Sequence, residues 1–306
     1  MSIKEVPGLA KLSLGAGFVM VLAAIGAGSS GLGLLAVFLL VGAFVTTYLA
    51  QQQRAVTADP WPWPPDFRAA AEALARPIDP TPRRLLPLPE KASLVATVAT
   101  TPEELSRLIA EKPAAWPWAV FTSVLVQRRN GVQARLRACV SGYQPRPGAV
   151  VTGQQYASTA YRVLTDVGDR VSQLEGFMLS PAFKGAFGAD DDTADADAIV
   201  AVAHRLMDHH DGFLAHAETC VQTPVQSAAL DLVADMNAFT LCPLIGYQQF
   251  IPTMCARIGE AQELLPYTAG GTVVALDDVS LGMSLPDGLM ERIVAQLNRF
   301  TASGSD

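Results

Sequence analysis

Between Leu12 and Ala50 no side chain carries a charge, and this uncharged run limits most strongly what the chain can fold into. A bilayer core about 30 Å thick needs about 20 apolar helical residues to cross it. The run contains two stretches of spanning length, at about 12–29 and 31–50, separated by a polar, glycine-bearing turn. We therefore predict that residues 1–53 form a membrane anchor, a two-helix transmembrane hairpin.

The charges that flank the uncharged run indicate its orientation. Lys4 and Lys11 precede it and Arg54 follows it, whereas the turn carries no charge. Positively charged flanks are retained on the cytoplasmic side, so we expect a multi-pass protein of the cytoplasmic (inner) membrane with both termini in the cytoplasm. A cleaved signal peptide is the alternative for the first apolar stretch, but the second stretch favours the hairpin. The excess of arginine over lysine and the abundance of alanine are typical of a bacterial protein.

The rest of the sequence divides into a connector and a domain. Residues 54–91 are rich in proline, which restricts the backbone and predicts a stiff connector, interrupted by a short helix at 66–75. Residues 92–306 are long enough for one ordinary domain, and we expect them to fold without the anchor from about residue 93 onward. A net charge of −7 argues against a nucleic-acid partner.

Apolar side chains recur at helical spacing through most of 92–306, which predicts a mainly α fold: an all-α cytoplasmic helical domain with a minor β element. The minor β element pairs two alternating segments, 92–99 and 279–285. Residues 181–192 are expected to form a loop. The predicted helices span 102–111, 119–140, 153–179, 193–221, 223–240, 243–265 and about 287–300.

The segment 279–293 resembles the opening of ribbon-helix-helix proteins, in which an alternating strand leads through a proline and an aspartate into a helix. The outward positions of the strand are Ser280, Gly282 and Ser284, and none of these side chains is a basic or amide group that reads bases. The resemblance therefore implies an element for strand pairing or dimerisation rather than for DNA binding, and pairing within the chain is the more ordinary outcome.

All four histidines lie in the predicted helix 193–221. On a helical wheel His209, His216 and Cys220 fall within about 40° of one another, and imidazole and thiolate are ligands of zinc and iron. These three residues are the candidate metal ligands. One helix rarely closes a metal site, however, and no matching ligand motif stands on another predicted helix. The alternative is a solvated helix face with one core histidine, His210.

Sequence motifs for catalysis or for cofactor binding are missing. The chain has no nucleophile elbow, no glycine-rich phosphate loop, no dinucleotide fingerprint and no closely spaced cysteine pair. We therefore expect a membrane-anchored interaction or assembly protein without a cofactor, which contacts the lipid bilayer and a protein partner or a second copy of itself. Two alternatives stay open: a metal-dependent enzyme that uses the His204–Cys220 helix, and a membrane-disrupting effector that acts through an oligomerising hairpin.

Overall fold

The computed structural model describes residues 65–81, 95–264 and 281–302. These residues are mainly α-helical and contain no strand, which confirms the mainly α fold class for this part of the chain. The predicted transmembrane hairpin, with helices at about 12–29 and 31–50, lies outside the described residues.

The chain divides into two units, Met1–Pro62 and Trp63–Asp306, and all described residues belong to the second. A short 3-10 turn, Ser227–Ala229, leads into its longest helix. The helices are α1 (Pro65–Leu74), α2 (Pro102–Glu111), α3 (Trp116–Gly131), α4 (Gln133–Val140), α5 (Gly153–Met178), α6 (Pro181–Ala186), α7 (Ala196–Gln222), α8 (Leu230–Leu264) and α9 (Leu289–Ala302).

Helix α7 lies at the centre of the described fold and packs against α3, α4, α5, α6 and α8. Its first turn is capped by Asp195, whose carboxylate accepts hydrogen bonds from the backbone amides of Asp197 and Ala198. An aspartate at this position satisfies amides that have no partner inside the helix and complements the helix dipole. Because α7 contacts neighbours on several sides, buried side chains such as Leu206 and Phe213 connect it to more than one helix.

The prediction of two separate helices at 223–240 and 243–265 is wrong, because the structure has one continuous helix, α8, in this region. It runs without interruption through Pro243 and Pro252. A proline in a helix interior costs about 3 kcal/mol, because it removes one hydrogen bond and crowds the preceding turn. Most side chains of α8 are buried, and each large apolar side chain contributes about 1.5–3 kcal/mol. Burial along the whole length therefore offsets the cost of both prolines.

The stretch Ser227–Leu264 is long and apolar enough to cross a membrane, judged by length and composition among the described residues. Of its most apolar window, 67% is buried inside the fold. A helix that is apolar all round occurs both in membranes and in the cores of large soluble domains. This helix therefore gives only weak support for membrane association, and it does not bear on the predicted multi-pass topology or on the side of the membrane where the termini lie.

Two further boundaries differ from the prediction. The helix expected over 119–140 is divided into α3 and α4 at Val132, whose backbone leaves the helical conformation. The loop expected over 181–192 begins with helix α6, which is capped by Ser180 through a hydrogen bond from the amide of Phe183 to its Oγ. A capped turn this short leaves no amphipathic period long enough to be recognised in sequence.

The predicted β element is wrong within the described residues. The backbone of 95–99 is extended but is held by helix side chains: Ser123 Oγ accepts from the amide of Ala99 at 2.7 Å, and Gln262 Nε2 donates to the carbonyl of Ala96 at 2.9 Å. Residues 281–286 form neither strand nor helix, and the carbonyl of Gly282 lies so close to Gly246 on α8 that a Cβ there would collide with it. Backbone groups of the first segment bond to helix side chains and, at the amide of Ala96, to the carbonyl of Ala114, so it needs no pairing with the second segment.

Helix α1 confirms the short helix predicted at 66–75 inside the proline-rich connector, and the segment that contains it is docked on the other helices. Its apolar side chains Phe67, Ala71 and Leu74, together with Ile78 just beyond its end, belong to the hydrophobic core. The carbonyls at its carboxyl end accept hydrogen bonds from side chains of α3 and α4, which replace the missing backbone partners of a helix end. The donors are Arg129 to Leu74 and both Gln133 and Arg137 to Ala75.

We predict that a fragment starting at Trp63 unfolds cooperatively on heating, and that a fragment starting at Ser93 is less stable. The shorter fragment loses three large buried side chains, each worth about 1.5–3 kcal/mol, and leaves their contact surface exposed. Circular dichroism during thermal and urea unfolding measures the difference. In the longer fragment Leu74→Ala should cost about 2–5 kcal/mol, whereas Leu179→Ala, at a side chain that is 66% exposed, should cost less than about 0.5 kcal/mol. Equal stability of the two fragments would contradict the docking of α1.

Candidate functional site

Helix α7 carries all four histidines, and its neighbours give them three different surroundings. His204 lies on the side that faces α3, together with Asp208. His210 points into the core against α8, where its ring meets Tyr247 edge-on with ring centroids 5.1 Å apart. His209 and His216 lie on the side of α7 that faces α5. The charges that face the histidines differ between the three sides and decide what each side can bind.

On the α3 side, arginines already occupy the carboxylates. Arg128 Nη1 donates to Asp208 Oδ1 at 2.8 Å and to the carbonyl of His204 at 3.1 Å, and its Nη2 bonds to Asp211. About two turns of α7 further on, Arg135 forms a two-bond pair with the carboxylate of Glu218. His204, Asp208 and Asp211 thus share one face of α7, and Arg128 pairs with both carboxylates.

In the core, the prediction that His210 lies among apolar residues is confirmed. The side chain is completely buried, and burial lowers the pKa of its imidazole, although Asp211 at 3.2 Å from Nδ1 opposes this effect. The ring is therefore neutral at neutral pH. Its Nε2 is buried without a hydrogen-bond partner, so His210 is only half satisfied.

Arg129 is the second buried polar group in this region, and it is only 1% exposed. Its Nη2 donates to the carbonyl of Leu74 at 2.7 Å and to Gln248 Oε1 at 2.6 Å, while Nε and Nη1 have no partner. Burial lowers the pKa of this guanidinium to about 10, so it remains positively charged at neutral pH. No carboxylate among the described residues pairs with it, and a buried charge without a counter-ion is costly.

The α5 side of α7 is positively charged. Arg170 of α5 lies flat on the backbone of α7 at Gly212, where a Cβ would collide with its guanidinium. Arg205 stacks on the ring of Phe177, with 4.8 Å between the guanidinium carbon and the ring centroid. We call this surface the cationic seam; its members are Arg162, Arg170, Arg205, His209 and His216.

Both histidines of the cationic seam are held in the neutral state. Burial, followed by the positive charges of Arg170 and Arg205, lowers the pKa of His209. Burial, followed by the charge of Arg170, also lowers the pKa of His216. His209 is 9% exposed and its Nδ1 is buried without a partner, as is Nε of Arg170. The seam therefore contains hydrogen-bonding groups that nothing in the described structure satisfies.

The three candidate metal ligands do not converge. His209 and His216 both face Arg170, and a guanidinium beside them repels a metal cation. Cys220 is fully buried elsewhere on α7, and burial raises the pKa of its thiol to about 12, so the thiol keeps its proton. Among the described residues, no group of three or more histidine, cysteine, aspartate or glutamate side chains is arranged to hold a metal ion.

Sequence reasoning missed Arg170 and Gly212, although part of the signal was present. Arg205, His209, Gly212 and His216 recur at spacings of four, three and four residues, which places them on one side of a helix. What the spacing does not contain is the partner helix that brings Arg170 to this stripe. Glycine inside the helix was the clue, because it leaves room for a neighbour to approach the backbone.

The arrangement favours binding of a negatively charged group over activation of a nucleophile. Burial raises the thiol pKa of Cys139 to about 12, as it does for Cys220, and a protonated thiol is a poor nucleophile. The buried groups without a partner, by contrast, include guanidinium nitrogens of Arg129 and Arg170 and a ring nitrogen of His209. No protein-family model, curated protein or solved structure matches the chain.

We predict that Gln248→Glu stabilises the protein, because it places a carboxylate on the uncompensated charge of Arg129. A hydrogen bond to a charged group contributes about 1.5–3 kcal/mol, and urea unfolding at pH 7 measures the gain. Arg129 holds the folded pKa of the new carboxyl below its unfolded value, so the gain is full above the unfolded pKa and disappears as pH falls through the folded pKa. Gln249→Glu, at the adjacent exposed position, is the control and should change stability little. A destabilised Gln248→Glu variant would show that the charge of Arg129 is compensated in another way.

Proposed function

We propose that this chain is a membrane-anchored interaction or assembly protein. The uncharged run from Leu12 to Ala50 carries the proposal, because it contains two stretches long enough to cross a bilayer. Lys4, Lys11 and Arg54 at its two ends support an anchor in the cytoplasmic membrane with both termini in the cytoplasm. The helical unit is then the part of the protein that holds a partner at the membrane.

The packing of the helical unit supports separate roles for the two parts of the chain, attachment by the anchor and recognition by the helical unit. The apolar surface of α8 is largely used inside the unit, where it contacts α1, α3, α7 and α9. A unit that buries its own longest apolar helix has a core of its own and does not need lipid to cover it. The anchor then supplies attachment, and the surface of the helical unit is available for recognition.

The segment 281–285 is the surface that we assign to a partner. Its backbone forms no hydrogen bond with another segment in the described part of the chain. Met283 and Leu285 are 40% and 46% exposed, although alternation of apolar residues predicts that they are buried on one face of a strand. An extended segment with free backbone groups and exposed apolar side chains accepts a second strand by edge pairing.

We propose a second copy of this chain as that partner. The segment 279–293 resembles the opening of ribbon-helix-helix proteins, and that resemblance implies a pairing or dimerisation element. Among the described residues, 281–285 has no strand partner within the chain. Pairing between two copies supplies the missing backbone partners and covers Met283 and Leu285 in one contact.

The topology is tested by cysteine labelling in intact cells. A cysteine that replaces Ser29 or Ser30 should react with a membrane-impermeant maleimide from outside, because the turn faces away from the cytoplasm. A cysteine added at the C-terminus should stay protected until the cells are permeabilised. Both cysteines are introduced into a variant in which the four native cysteines are replaced. That cysteine-free variant is the control for labelling of other proteins. Labelling of the C-terminus in intact cells would overturn the topology.

The partner surface is tested by the mass of the detergent-solubilised protein. The wild-type chain should form a dimer, and the double substitution Met283→Asp with Leu285→Asp should convert it to a monomer, because charged side chains cannot be covered at an apolar contact. Light scattering coupled to size exclusion measures both. Leu179→Asp, at an exposed apolar position on another element, is the control and should remain dimeric. A wild-type monomer, or a dimer that survives the double substitution, would contradict the pairing of two copies.

A further inference from the structure

We propose that the cationic seam between α5 and α7 binds a phosphate-class oxyanion, with Arg170 and His209 as its central contacts. This binding does not depend on the membrane anchor or on the pairing of two copies. The proposal rests on three observations: unpartnered buried donors, a glycine that makes room for a guanidinium, and an excess of positive charge.

The unpartnered groups show that the seam has unused binding capacity. Nε of Arg170 and Nδ1 of His209 are both buried, and neither has a hydrogen-bond partner. His209 is 9% exposed, so solvent compensates little of this loss. Buried polar groups without partners are rare in native proteins, and each one calls for a ligand or an ordered water. An oxyanion satisfies both groups, because it accepts from the guanidinium and from the protonated imidazole.

Gly212 makes the contact between Arg170 and α7. A Cβ at this position would overlap the guanidinium of Arg170, so an alanine here would require the flexible arginine side chain to move away from the helix backbone. Glycine in a helix interior costs about 1 kcal/mol relative to alanine. The arginine that occupies this place forms no ion pair among the described residues. Its charge is therefore brought to the seam without being neutralised there.

The charge balance of the seam is positive, although the chain as a whole carries −7. Two carboxylates face its histidines: Asp166 of α5 opposes the pKa change of His216, and Asp208 of α7 opposes that of His209. Asp208 is already paired with Arg128 at 2.8 Å. Three arginines therefore exceed the carboxylates that remain.

A phosphate group fits this chemistry better than a metal or a neutral ligand. Planar guanidinium groups bind the oxygens of phosphate with charge-assisted hydrogen bonds. Binding of an anion also reverses the effect of the neighbouring arginines on the histidines, because a negative charge stabilises the imidazolium form. Anion binding should therefore raise the pKa of His209 and His216.

The imidazole NMR resonances of the four histidines measure whether phosphate binds to the cationic seam. The full chain without a histidine tag is purified in a zwitterionic detergent, its four histidines are isotope-labelled, and inorganic phosphate is added while NMR follows the imidazole resonances. Chloride at equal ionic strength controls for screening. The expected result is a saturable shift of the His209 and His216 resonances with a rise in both pKa values, and no saturable shift for His204. Equal shifts at all four histidines, or no saturable shift, would overturn the proposal.

Matched glycine variants test the geometry of the site. Gly212→Ala displaces the guanidinium of Arg170 without removing its charge, and it should weaken phosphate binding by about tenfold or more. Gly168→Ala on α5, where a Cβ meets no neighbouring atom, is the control and should bind phosphate as the wild type does. Arg170→Gln removes the charge and should abolish the shift of both histidine resonances. Thermal unfolding confirms that each variant is folded, and unchanged affinity in Gly212→Ala would overturn the role of Arg170.

A second arm distinguishes free phosphate from a lipid headgroup. The same histidine resonances are recorded in nanodiscs of zwitterionic lipid and in nanodiscs that contain an anionic phospholipid. A shift with inorganic phosphate in the zwitterionic nanodiscs identifies a soluble phosphate ligand. A shift that needs the anionic lipid identifies a headgroup, and both results support the site. If neither condition moves His209 and His216, the cationic seam does not bind phosphate.

Discussion

The structure depends on the placement of α7, a helix rich in polar residues, at the centre of a helical unit. The polar side chains of α7 that face other helices need partners from those neighbours, whereas Arg205 and Asp208 remain exposed to water. Arginines of α3 and α4 supply them on one side, where Arg128 pairs with Asp208 and Asp211 and Arg135 pairs with Glu218. On the side that faces α5, the arginines lie beside histidines instead. Fewer carboxylates pair with these arginines than with Arg128 and Arg135.

A second feature of the fold is that guanidinium groups are buried without a carboxylate partner among the described residues. Arg129 joins α1 to α3 and α8 through two hydrogen bonds, yet it has no carboxylate partner in the described structure. The cost of burying such a charge is several kcal/mol, and it must be offset by the surrounding apolar contacts. Arg170 likewise forms no ion pair among the described residues, but its side chain is partly exposed. The difference in access explains why Arg129 serves the packing of α1, while Arg170 is the better group for a ligand.

Much of the helical architecture could be predicted from periodicity and from capping residues. The capping box formed by Thr101 and Glu104 identified α2, and apolar residues at spacings of three and four identified α5 and α7. Continuity of α8 could not be predicted, because the local cost of Pro243 and Pro252 is outweighed only by burial on all sides. The extended segment 95–99 resembled a strand because its alternation is compatible with one, but helix side chains satisfy its backbone instead.

The sequence by itself determined which elements are helical and where chemistry-bearing residues share a side of α7, since both follow from the period of the helix. It also determined the length of the uncharged run on which the anchor proposal depends. Only the tertiary structure decided what faces each side of α7. His209 and His216 have the spacing of metal ligands, but Arg170 reaches them from α5, and no local pattern encodes that approach. The sign of the charge beside a residue is a property of packing between helices, so the positive surroundings of His209 and His216 arise only in the folded chain.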